Sequence, residues 1–128
     1  MIYGYKKEVS LAFDEALEKI KANLAEEGFG LLFETDVKDT FKKKLNISHV
    51  NYFILGVCNP AFAHETLMID KEVGLLLPCN VIVFEENGKV YIASILPSVV
   101  MRNIENDELT MIAEKVELKL KKVIDKTI

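Results

Sequence analysis

The sequence predicts an α+β fold, and two features carry that expectation. The first is "NVIVFEENGKVYIASIL" (residues 80–96), two β-rich runs joined across Asn87-Gly88, the preferred type I′ hairpin turn. The second is the order of elements along the chain: strand, helix, strand, helix, strand, helix, strand, strand, helix. An antiparallel hairpin late in that order favours α+β over a doubly wound parallel sheet.

Each element has its own local warrant. "IYGYKKEVS" alternates and carries two tyrosines, which suits a half-buried strand. In "FDEALEKIKANLAEEGFG", Phe13, Leu17, Ile20 and Leu24 recur on one helical face. Asp14 and Glu15 favour its N-terminal dipole, and Gly28 marks its stop. "GLLFETD" is the next strand, and Asp36 is placed to cap a helix, "VKDTFKKKL", in which Val37, Phe41 and Leu45 repeat every four residues. "NYFILGVC" reads as an apolar strand. Asn59 and Pro60 then read as the cap and first residue of a third helix running to about Asp70, because the missing proline N–H costs nothing there. Beyond Gly74 the chain is expected to be extended into the hairpin. Asn106 or Asp107 caps a long final helix whose stripe is Leu109, Ile112, Val116, Leu120, Val123 and Ile124.

At 128 residues the chain suits one domain, 1–128, long enough to bury a core. Half the residues are hydrophobic and 28% are charged, an ordinary globular mixture, and no run approaches the ~20 apolar residues of a membrane span. The net charge of −4 argues against a surface built for nucleic-acid phosphates. "MIYGYKKEVS" has no apolar signal-peptide core, and two cysteines without such a segment point to free thiols in a reducing cytoplasm.

Chemistry, if there is any, centres on "VCNPAFAH" and "LLLPCNV". A Cys58 thiol just outside a helix N-terminus would meet unpaired N–H groups, which stabilise a thiolate and lower its pKa. The alternative is that Cys58 ends its strand as a small core residue, as free cysteines usually do, and the same choice holds for Cys79. A working dithiol requires the two to meet in space, which twenty intervening residues do not enforce. His64, on the first turns of the third helix beside Glu65, is expected to face solvent or a partner, and His49 falls in a connection. The 58/64/79 spacing matches none of the tight Cys and His clips of a structural zinc site, so no metal site is expected. Candidate ligand contacts are therefore Cys58, Asn59, His64, Glu65, Cys79 and Asn80, with Cys58 and Cys79 the candidates for any catalysis. There is no phosphate-binding loop, dinucleotide glycine fingerprint, HExxH or GxSxG, so the sequence names no cofactor and no reaction.

The stretch "GVCNPAFAHETLMIDKEVGLLLPCNVIVFE" (residues 56–85) resembles the family known as domain of unknown function 302, with "GFGLLFETDVKDTFKKKL" similar to its first half. The resemblance implies a TATA-binding-protein-like fold, a curved antiparallel sheet backed by helices, and dimers. It makes Cys58, Asn59, Pro60, Gly74, Pro78, Cys79 and Asn80 the characteristic residues, and it supplies no substrate. Two functions stay open: a small-ligand or sulfur- and redox-related binding protein centred on the cysteines, or a structural or interaction module with both cysteines in the core. A homodimer is expected on either. "PAFAHETLMI" is apolar on more than one face, and "SILPSVV" is a second apolar patch with little charge, more than one small domain is expected to cover alone.

Overall fold

Residues 2–128 are described by a computed structural model. The strands are β1 (Gly4–Val9), β2 (Gly30–Asp36), β3 (Tyr52–Cys58), β4 (Cys79–Glu86) and β5 (Lys89–Ile95). The helices are α1 (Phe13–Glu26), α2 (Val37–Leu45), α3 (Pro60–Ile69), α4 (Pro97–Val100) and α5 (Asp107–Thr127). All strand pairs are antiparallel, and the sheet order is β1-β5-β4-β3-β2. The fold is α+β, as the hairpin and the element order predict.

Local chemistry explains where the helices begin and end. α1 closes in a Schellman arrangement, in which Gly28 N–H donates to the Ala25 carbonyl and Phe29 N–H to the Leu24 carbonyl, both at 3.0 Å. Gly28 takes φ 85°, a conformation open to glycine at little cost, and buried Phe29 and Leu24 form the apolar contact that accompanies the motif. The Asp36 carboxylate accepts from Asp39 N–H at 3.0 Å and starts α2. For α5 the capping side chain is Asn106, not Asp107, with Leu109 N–H donating to its Oδ1 at 3.0 Å. Asn87 and Gly88 both have positive φ, as the type I′ turn between β4 and β5 requires.

Alternation along the strands separates two faces of the sheet. Leu55 and Val57 of β3, Val81 and Val83 of β4, and Ile92 of β5 are fully buried on the face covered by α1 and α5. All four α1 residues of the sequence stripe and, from α5, Ile112, Val116, Leu120, Val123 and Ile124 lie in that core. Tyr5 hydroxyl donates to Asp125 Oδ1 at 2.8 Å, tying β1 to the end of α5. On the opposite face Tyr52, Phe84 and Tyr91 stack across three strands, with ring centroids 5.5 and 5.4 Å apart. α2 flanks this second face with its stripe only partly covered, and Leu45 remains exposed. Gly56, in the middle of β3, is where the Phe33 ring of β2 lies against the backbone, leaving no room for a Cβ.

Two expectations require correction. The segment around Gly74 is not extended: Lys71–Leu76 form a 3-10 turn, started by Asp70 accepting from Glu72 N–H at 2.9 Å, and the extended chain resumes at Leu77. The stretch "SILPSVV" is only partly open: Ser94 and Pro97 are buried, while Ile95, Leu96, Val99 and Val100 are half-buried. It finishes β5 and forms α4, with Pro97 and the following Met101 buried. Met101 joins Val73, Leu109 and Ala113 in a small satellite core beneath α5.

Candidate functional site

The two cysteine segments converge because β3 and β4 are neighbours. Val57 lies directly opposite Cys79 in the register, so Cys58, the last residue of β3, ends one position from the start of β4. The chain then turns into α3, and Leu77-Pro78, whose peptide bond is cis, leads into β4 from the other side. Both thiols are free, half-buried and border one small chamber of about 40 Å³. Phe62 and Thr66 of α3, together with Met101, help to close it.

An open groove of about 430 Å³ adjoins the chamber. Leu77, Cys79, Pro97 and Met101 border both spaces, so Cys79 stands at their junction. Leu75, Leu76, Ile95 and Val100 extend the groove, and Asn80 is the one amide residue that borders it. No charged side chain lines either space among the described residues.

The electrostatics differ from the sequence expectation. Burial pushes the Cys58 thiol up, where proximity to a helix N-terminus had suggested a lowered value. Cys79 is pushed up further, to about 11, first by burial and then by the neighbouring Cys58. Removal of water from an apolar pocket disfavours the thiolate in both cases. Neither thiol is therefore prepared as a free nucleophile at neutral pH. Asn59 occupies the cap position of α3, but its side chain makes no capping hydrogen bond. Its Nδ2 instead reaches the Glu27 carbonyl at 3.4 Å, linking α3 to the end of α1.

Of the sequence candidates, Cys58, Asn59 and Cys79 meet at the chamber, and Asn80 meets Cys79 at the groove. His64 and Glu65 lie on the exposed side of α3 and border neither space. His49 is remote, its Nδ1 2.9 Å from the Val50 carbonyl oxygen and its ring edge-on to Phe41 at 5.1 Å. No group of three or more His, Cys, Asp or Glu side chains converges among the described residues. Leu77, Pro97 and Met101 were not singled out from the sequence as site residues. Their only local signal is the repeated Leu-Pro pair at 77–78 and 96–97, which marks turns without showing that they face each other.

The domain of unknown function family DUF302 matches residues 5–127. The chain belongs to that family. A crystal structure of an uncharacterized conserved DUF302 protein from Bacillus stearothermophilus is similar over 100% of both chains, with 30% sequence identity and a TM-score of 0.94. No curated protein matches. The α+β sheet with its packed helices is thus the fold of a DUF302 protein, and none of its helices is long and apolar enough to cross a membrane among the described residues.

Proposed function

We propose that this DUF302 protein is a small-ligand-binding protein whose site is the groove and chamber joined at Cys79. One observation carries the reading: a concavity of about 430 Å³, in the size range of small-molecule sites, opens onto Cys79, which borders the same small chamber as Cys58. The uncharged lining selects a neutral, largely apolar ligand, since an ion entering there would lose water without gaining a partner. Asn80 supplies the polar contact that orients it. The raised thiol values favour a binding role for Cys58 and Cys79 over nucleophilic catalysis. Free thiols suit a reducing compartment, and the cytoplasm is the location this reading assigns.

Amide NMR with a neutral amphiphile, decanamide, tests the groove, with decanoate as the charged control. Decanamide should shift the signals of Cys79, Asn80 and Val100 and decanoate should not. Shifts scattered over the surface, or none, would remove the ligand-binding reading. Native mass spectrometry of freshly purified protein adds any retained small molecule and the oligomer size.

The second reading is an interaction module with core cysteines, and exposed apolar side chains favour it. Met68 is 72% exposed and Leu75 86%, extending the apolar surface of α3 into the turn that follows. A homodimer that covers this surface is compatible with either function. Sedimentation equilibrium at micromolar concentration should show a dimer that Met68→Lys with Leu75→Lys dissociates; a concentration-independent monomer of 14.5 kDa would refute it.

A further inference from the structure

The chamber has a chemistry of its own, distinct from that of the groove. Its polar neighbours are few, and three of the side chains bordering it end in or carry sulfur: Cys58, Cys79 and Met101. They come from three separated parts of the chain: the end of β3, the start of β4 and the residue after α4. Met101 is buried, and the satellite core beneath α5 fixes it where it borders this space. At about 40 Å³ the chamber has room for one ion or one water and excludes an organic molecule of any size.

We propose that the chamber is a binding site for a single soft monovalent metal ion, Cu(I), held by the two cysteine sulfurs and the Met101 thioether. Thiolate and thioether donors select Cu(I), whereas magnesium, calcium and manganese prefer oxygen donors that this lining does not offer. Zinc favours four nitrogen, sulfur or carboxylate ligands in a tetrahedron, and no histidine or carboxylate borders the chamber. Binding is a proton exchange without electron transfer. Each Cu(I) displaces the protons of two thiols, two protons pass to solvent, and the thioether remains a neutral third donor. The resulting site carries one net negative charge. The first turn of α3, whose N–H groups receive no cap from the Asn59 side chain, lies against it with its partial positive charge. No other titratable side chain borders the chamber among the described residues, so the two thiols alone set the pH dependence. Affinity should rise by about 100-fold per pH unit below the thiol pKa values, as release of two protons requires.

This inference rests on the reading of the thiols as ligand-bearing but not on the groove's organic occupant. The test is an anaerobic titration of the reduced full chain with Cu(I) against a chromophoric Cu(I) chelator. One Cu(I) per chain should be retained in the competition, and Zn(II) should not. Cys58→Ser and Cys79→Ser should each weaken retention at least about tenfold, the scale on which even an outer-shell partner acts. Met101→Leu keeps volume and apolarity, so it should preserve the fold while also weakening Cu(I) at least about tenfold. Failure to retain Cu(I) would overturn the site, and so would retention equal to wild type in Cys79→Ser or Met101→Leu. If Cu(I) is not held while decanamide still shifts Cys79 and Asn80, the metal site falls and the groove reading stands.

Discussion

Ionisation of Cys79 can be tested directly because burial changes it in a measurable direction. Its thiol rises from an ordinary 9.0 to about 11. At pH 8 the thiolate fraction then falls from about one in ten to about one in a thousand. Alkylation by iodoacetamide should be about 100-fold slower than for an exposed thiol from ionisation alone, since the thiolate is the nucleophile. The same shift is a statement about stability. The folded chain favours the neutral thiol, so the associated stability is complete below the unfolded-state pKa and is lost as pH rises from about 9 through about 11. At 1.36 kcal/mol per pKa unit the full loss approaches about 3 kcal/mol, and partial solvent access at this half-buried side chain lowers the expectation to about 1–3 kcal/mol. Lysines and tyrosines titrate in the same range, so the quantity to follow is the difference in urea unfolding free energy between wild type and Cys79→Ala from pH 8 to 11.5. That difference should shrink with rising pH. A flat difference, or alkylation of Cys79 at the rate of an exposed thiol, would show that the chamber is wet and the desolvation argument wrong.

Other perturbations test the frame around the site. Gly56→Ala sets a methyl group against the Phe33 ring and should cost about 1–3 kcal/mol in chemical denaturation; in a Phe33→Ala background most of that cost should vanish, and full additivity would refute the overlap. Asn106→Ala removes the acceptor for Leu109 N–H and should lower stability by about 1 kcal/mol, with Asn106→Asp close to wild type by the same measurement. Glu27 faces Lys122 at 3.0 Å, Lys126 at 3.4 Å and Lys119 at 3.8 Å, and Lys122, then Lys126, hold its carboxyl below the usual carboxylate value. Its contribution is present above the normal carboxylate range and is lost as pH falls through the lowered value. Thermal unfolding of Glu27→Gln should therefore show reduced stability at pH 7, with a smaller deficit in high salt and a vanishing one in acid.

The sequence by itself determined every helix and strand whose signal is local. Phe13, Leu17, Ile20 and Leu24 reveal the α1 face because helix geometry repeats within four residues, and the α5 stripe does so over a longer span. Gly28, Asp36 and Asn87-Gly88 announce boundaries through their own backbone or side-chain chemistry, and the structure uses each in that way. The 3-10 turn at Lys71–Leu76 was hidden because Gly74 and a run of leucines carry no periodic pattern to mark it. Only the tertiary structure decided that Cys58 and Cys79 share a chamber, because this depends on the pairing of Val57 with Cys79, residues far apart in the sequence and in no local relation. The same holds for Met101, which directly follows the apolar stretch "SILPSVV" and is buried beneath α5. The direction of the thiol pKa values was likewise beyond the sequence. A helix N-terminus is visible in Asn-Pro, but the water excluded from the thiols is set by Phe62, Thr66 and Met101 closing in from separate elements, and desolvation follows that enclosure.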